Sequence, residues 1–281
     1  MLAIIGGTGI YQIDGLEVIE EMVPHTPFGE PSAPIVKAAF KDKTLLFLPR
    51  HGRRHALLPH EINYRANIYA LKALGARQII GFSATGSLRE DITAGEFVIP
   101  DQYFDFVKGP REKTFFGDGV AAHVSTADPT CRDLTEWISN RADQLGFPLQ
   151  TGKTYACVDG PRLGTRAESH FLRMADCDVV GMTNIPEVFL AREAQLAYAT
   201  IGIVTDYDCW MDDPAQHVSV ADVIARYGGA VENAKALLLA LLESPLPAVD
   251  PAYREMLSTA LLTPDDQIPE GKRELIEVLR R

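Results

Sequence analysis

The segment TDYDCW at 205–210 places two aspartates, Asp206 and Asp208, two positions apart. In an extended chain side chains alternate, so both carboxyls point to the same side. Two close carboxylates raise the cost of ionising both, which favours retention of one proton at neutral pH. A pair in that state can donate to a purine ring nitrogen and accept from an exocyclic amine. A solvated turn or a cation site would use the same two residues.

A second cluster suits an anion. RHGRRH at 50–55 puts Arg50, His51, Arg53, Arg54 and His55 directly after an apolar run. An arginine fork can hold two phosphate oxygens, and a neutral histidine can donate one further hydrogen bond. Not all five can face one ion, so Arg53 and Arg54 also read as structural or intersubunit charges. GGTG at 6–9 offers backbone N–H groups and the Thr8 hydroxyl to an anion, and equally fits an ordinary tight turn. It lacks the third glycine of a dinucleotide fingerprint. Ser83 in SATGS and Thr183 after VVGM add neutral donors, residue types that elsewhere serve as caps or turns.

Residues this far apart in sequence need a frame to bring them together. Segments 2–6, 44–49, 78–83, 96–100, 154–161, 178–182 and 197–206 read as strands, and 64–76, 130–144, 166–174, 186–194 and 219–243 as helices. This alternation predicts an α/β fold: a twisted, mostly parallel or mixed central sheet flanked by helices on both faces. Segment 105–119, rich in Gly, Pro and charge, reads as a loop in which Phe115 and Phe116 would cost free energy if exposed. The expected organisation is one domain over 1–243, with 244–281 as its helical C-terminal extension.

With 281 residues, 46% of them hydrophobic, the chain can close a large core without metal or disulfide. Its net charge is -11 and no Lys/Arg block is long enough to follow a phosphate backbone, so no nucleic-acid partner is expected. Cys131, Cys157, Cys177 and Cys209 form no C-x-x-C pair and read as free thiols of a reducing compartment. Neither an export signal nor a run of the ~20 apolar residues needed to span a bilayer is evident. No membrane association and a cytoplasmic location are therefore the expectation.

Taken together, IIGGTG, PRHGRRH, NYRANIYALKALG, SATGSLRE, GPRLGTRAES, VVGMTNIPEVFLAREAQLAYA and TDYDCW resemble the methylthioadenosine phosphorylase branch of the trimeric purine nucleoside phosphorylases. They keep their order from the first residues to about position 225. The resemblance implies a purine nucleoside phosphorylase-like fold and phosphorolysis of S-methyl-5'-thioadenosine to adenine and 5-methylthioribose 1-phosphate, in methionine and purine salvage. Phosphate is then a cosubstrate, with no metal and no organic cofactor.

By the same resemblance, phosphate falls to Thr8, Arg50, His51, Ser83, Ala84 and Thr183, and the ribose to Met182. Asp206 would act at N7 as the catalytic acid, and Asp208 at the 6-amino group. Leu163 stands where many members place a phenylalanine over the base. His55, Val220, Val223 and Ile224 would surround the 5'-methylthio group, and Gly164 is a further position tied to substrate preference. An apolar Val220 cannot satisfy a ribose 5'-hydroxyl but can pack a thioether methyl. Ser83, Thr85 and Asn184 depart from the commonest family residues. The resemblance also implies a homotrimer, or a dimer of trimers, with His123 or the 105–119 loop at an interface. The alternatives are a broader purine nucleoside or methylthioinosine phosphorylase, which Asn in place of Asp206 would have favoured, and a non-catalytic nucleoside-binding protein.

Overall fold

The computed structural model describes residues 1–6, 15–212 and 220–281, with the backbone alone over 220–228. Strand β1 (Leu2–Gly6) is buried along its whole length, which is why it reads as an unbroken apolar run rather than an alternation. It pairs in parallel with β4 (Lys43–Pro49) on one side and β5 (Gln78–Ser87) on the other. Beyond β4 the sheet continues antiparallel through β3 (Ile35–Phe40) to the edge strand β2 (Glu17–Met22).

Beyond β5 come β8 (Val179–Gly181), β7 (Leu149–Cys157), β6 (Phe97–Asp105) and β9 (Ala197–Asp206). Strand β9 pairs with both β6 and β5, so these five strands close on themselves. Parallel and antiparallel pairs both occur, giving the mixed sheet expected from sequence.

Helices cover both faces. On one side α1 (Tyr64–Ala73) packs against α4 (Asn184–Glu193) and α8 (Glu270–Arg280). Leu275, Val278 and Leu279 of α8 join Ile68 and Leu71 of α1 in the same core. On the other side α2 (Arg132–Leu145) packs against α5 (Val220–Glu243), with Leu134, Ile138, Leu237 and Leu241 against the sheet. Helix α3 (Arg166–Met174) opens with a reciprocal Thr165/Glu168 capping box. The short α6 (Ala252–Glu255) and α7 (Leu257–Ala260) lead into α8.

Several elements differ from the sequence reading for physical reasons. Strands β2 and β3 were not expected, because EVIEEM carries three glutamates and lies exposed at the sheet edge, where a charged strand resists edge-to-edge pairing. SATGS continues β5 instead of following it, since its backbone pairs with both β8 and β9. Strand β6 passes through Pro100, where the ladder shifts register, and runs on to Asp105.

The 105–119 segment is irregular, as expected, but firmly tied. Arg111 donates from Nη1 to the Met182 and Ile185 carbonyls at 2.7 and 2.8 Å, and from Nη2 to the Asp159 carbonyl at 2.7 Å. Phe115 is buried, and Glu193 accepts from the Thr114 hydroxyl and the Phe115 N–H. The four cysteines are free and buried. Among the described residues no helix is long and apolar enough to cross a membrane.

Candidate active site

The carboxyl ends of β4, β5 and β9, with the chain that follows β8, surround one cavity of about 760 Å³. Its wall brings together Arg50, His51, His55, Ser83, Ala84, Leu163, Gly164, Met182, Thr183, Asp206 and Asp208. Thr8 and the side chains of Val220, Val223 and Ile224 lie outside the described residues.

Arg50 leaves β4 with its N–H bonded to the Gly6 carbonyl at the end of β1. The residue is 1% exposed. Nε and Nη2 donate to the two Glu187 oxygens at 2.6 and 2.7 Å, and Nη1 donates to the Phe82 carbonyl at 2.7 Å. Burial works against the charge, but Glu187 outweighs it and holds Arg50 above the ordinary guanidinium value. Three of five N–H groups are thus committed, leaving one on each terminal nitrogen for a ligand. Tyr198 adds a 2.8 Å hydrogen bond to Glu187 and meets Thr200 at the same distance. Next along β5 from the Phe82 carbonyl, the Ser83 hydroxyl oxygen stands 3.4 Å from that of Thr183, after the end of β8.

The His51 ring corrects an expectation. Its Nδ1 lies 2.8 Å from the Leu57 carbonyl, an oxygen that can only accept, so Nδ1 carries the proton. Burial drives the ring down to about 4, so it is neutral at pH 7 and its single N–H is spent on Leu57. The other ring nitrogen, Nε2, therefore carries a lone pair and is not the donor read from sequence. The His51 and His55 rings stack with centroids 4.3 Å apart.

At the other side of the wall Asp206 ends β9, beside Gly86 of β5. Its Oδ1 accepts from the Asp208 N–H at 2.8 Å, and its Oδ2 is 2.6 Å from the Thr205 hydroxyl. The two aspartates do not share an extended strand as the period-two argument assumed. Asp208 has a positive φ of 51°, and a tight turn folds its backbone back onto Asp206. A Cβ on Gly86 would come within 2.8 Å of Asp206 Oδ1, so only glycine lets this carboxyl lie flat against β5. Asp208 is raised above the usual carboxylate range by burial and, less strongly, by Glu168; the Ser169 hydroxyl and the Cys209 N–H favour its charged form.

A model of the family described as the phosphorylase superfamily matches residues 1–243. The chain belongs to the phosphorylase superfamily. Within this phosphorylase group it is 42% identical over 279 residues to the S-methyl-5'-thioadenosine phosphorylase of Geobacter sulfurreducens, covering 99% of this chain and 97% of that protein. Identity to the S-methyl-5'-thioadenosine phosphorylase of Hyperthermus butylicus is 48%, covering 93% and 95%. A crystal structure of methylthioadenosine phosphorylase from an antarctic soil metagenomic library superposes with a TM-score of 0.91 at 41% identity, covering 99% and 98%. A Schistosoma mansoni methylthioadenosine phosphorylase in complex with adenine gives 0.85 at 32% identity, covering 93% and 99%.

Two residues of this phosphorylase's site escaped the sequence reading. Glu187, 1% exposed, was signalled by its setting: a lone carboxylate in the apolar stretch IPEVFLA requires a buried cation as partner. Arg111, which ties the 105–119 loop to the Met182 carbonyl on the cavity wall, carried no signal, since its neighbours in PREKT read as solvated charge. Among the described residues no cluster of His, Cys, Asp or Glu could hold a metal ion.

Proposed function

We propose that the protein cleaves S-methyl-5'-thioadenosine with inorganic phosphate, releasing adenine and 5-methylthioribose 1-phosphate. The observation that carries this reading is a spacing. Ser83, beside Thr183 and Arg50, and Gly86, beside Asp206, are three residues apart on β5. At ~3.3 Å per residue that separates the anion-binding and carboxylate ends by roughly 10 Å, room for a ribose between phosphate and purine. The activities named for the Geobacter and Hyperthermus relatives agree with it.

In this reading phosphate is held by the remaining Arg50 N–H groups and by the Ser83 and Thr183 hydroxyls, with Ala84 and Thr8 completing the cradle. A phosphate oxygen attacks C1' from the face opposite adenine, while the C1'–N9 bond breaks and its electron pair leaves with the base. Asp206 supplies a proton or hydrogen bond at N7, and Asp208 accepts from the 6-amino group. The Thr205 hydroxyl donates to Asp206 Oδ2 at 2.6 Å and lies 3.3 Å from the Thr85 carbonyl, which holds the carboxyl in place at the end of β9.

Met182 and Leu163 flank the nucleoside, with His55, Gly164, Val220, Val223 and Ile224 setting its 5' and base preferences. The same reading carries a cytoplasmic location and self-association as a homotrimer or a dimer of trimers. The test is phosphate-dependent base release from methylthioadenosine, adenosine, methylthioinosine and inosine in parallel. A strong preference for methylthioadenosine is expected. Preference for either inosine compound overturns the adenine assignment, and equal use of adenosine overturns the apolar 5' pocket.

A further inference from the structure

Tyr155 of β7 is fully buried and does not reach the cavity wall. Its hydroxyl lies against the backbone of β8: a Cβ built on Gly181 would sit 1.9 Å from it, so Gly181 is the only residue type that admits this ring. The oxygen is within reach of the Ser83 hydroxyl and the Thr183 main chain, yet makes no hydrogen bond of ordinary geometry among the described residues. Burial holds its pKa far above the ordinary phenol value, so it is a permanent donor.

The hydroxyls around it are equally uncommitted. Ser83 Oγ reaches the Ala84 carbonyl only at 3.3 Å and Thr183 Oγ1 at 3.4 Å, both long for O–H···O bonds. The Thr183 side chain caps no N–H of α4. Three hydroxyls therefore converge with no carboxylate and no well-placed carbonyl among them. A buried polar group without a partner is costly, and donors gathered without an acceptor are matched by an oxyanion.

We propose that Tyr155 is a positioning residue of the phosphate subsite: its O–H donates to Ser83 Oγ, which turns the Ser83 proton outward toward a phosphate oxygen. This rests on the reading of Ser83 as a phosphate ligand. Because Tyr155 lies behind the wall, it acts through Ser83 and not on phosphate itself.

Tyr155→Phe keeps the ring over Gly181 and removes only the donor. It is expected to raise the KM for phosphate roughly five- to tenfold, the size of one neutral hydrogen bond. KM for the nucleoside stays unchanged, and Tm changes little, since the ring keeps its packing and the one hydrogen bond lost is offset by removal of a buried hydroxyl. Ser83→Ala should raise the phosphate KM as well, and adding Tyr155→Phe to it should have no further effect. If Ser83→Ala raises that KM and Tyr155→Phe does not, or if the two effects add, the role of Tyr155 fails while the phosphate subsite stands. A fall in Tm with both KM values raised would mark a packing role and overturn the proposal. If neither variant changes the phosphate KM, the subsite reading itself fails and takes Tyr155 with it.

Discussion

Glu187 grips Arg50 on two sides, accepting from Nε at 2.6 Å and from Nη2 at 2.7 Å, with both side chains shut off from solvent. The pair fixes the plane of the guanidinium, and so the direction of its remaining N–H groups. Removing one member of a buried pair leaves the other uncompensated, at a cost of about 3–5 kcal/mol. Glu187→Gln keeps the shape and loses the charge. It is expected to raise the phosphate KM at least tenfold and to lower Tm, with a smaller change in nucleoside KM. Steady-state kinetics varied in each substrate separately, together with a thermal melt, check this.

The Asp206–Asp208 turn predicts a division of effects. Asp206→Ala should cut kcat by roughly 10²–10⁴, the usual range for loss of a general acid. Asp208→Asn turns an amide donor toward the base edge, so its kcat/KM ratio of methylthioadenosine to methylthioinosine should fall. An Asp206→Ala enzyme with full turnover would remove the acid role, and an unchanged ratio in Asp208→Asn would remove the amino-group role.

A Cβ on Gly86 would lie only 2.8 Å from Asp206 Oδ1 and 3.3 Å from Val180 Cγ1. Gly86→Ala must therefore displace the Asp206 carboxyl or part β5 from β8. Forcing a methyl into such packing costs typically 1–3 kcal/mol, and here the misplaced group is the proposed acid. The expected result is a large loss of kcat with a modest fall in Tm and a phosphate KM close to the parent value.

His51 makes stability depend on pH. Burial lowers its folded-state pKa from 6.5 to about 4, so between those values the unfolded chain binds a proton that the folded protein refuses. Stability from this group is complete above pH 6.5 and declines as pH falls toward 4. His51→Asn, whose amide can still donate to the Leu57 carbonyl, lacks that titration. The difference in Tm between parent and variant should therefore shift in the variant's favour as pH drops from 7 to 4.5, and a constant difference would exclude the effect.

Much of this was legible in the chain. Continuous apolar runs ending in Gly, Pro or a hydroxyl residue mark β1, β4, β5 and β9 because both faces of those strands are buried, and burial on both faces leaves no room for alternation. The residues that end these runs, Arg50, Ser83 and Asp206, are polar where the fold turns to the cavity. Local sequence therefore determined these four strands, the fold class and the chemical types at the site.

What it could not determine was orientation. Whether His51 offers a proton or a lone pair depends on the Leu57 carbonyl six residues on, in a turn with no periodic signature. Asp206 and Asp208 meet through a left-handed backbone turn rather than along a strand, and their environment is set by Gly86 from β5. Arg50 takes its direction from Glu187, 137 residues away, and the 105–119 loop takes its place from Arg111 contacts to three distant carbonyls. Such partners are distributed along the chain by the closure of five strands, and hydrogen-bond direction exists only once that closure has placed both donor and acceptor.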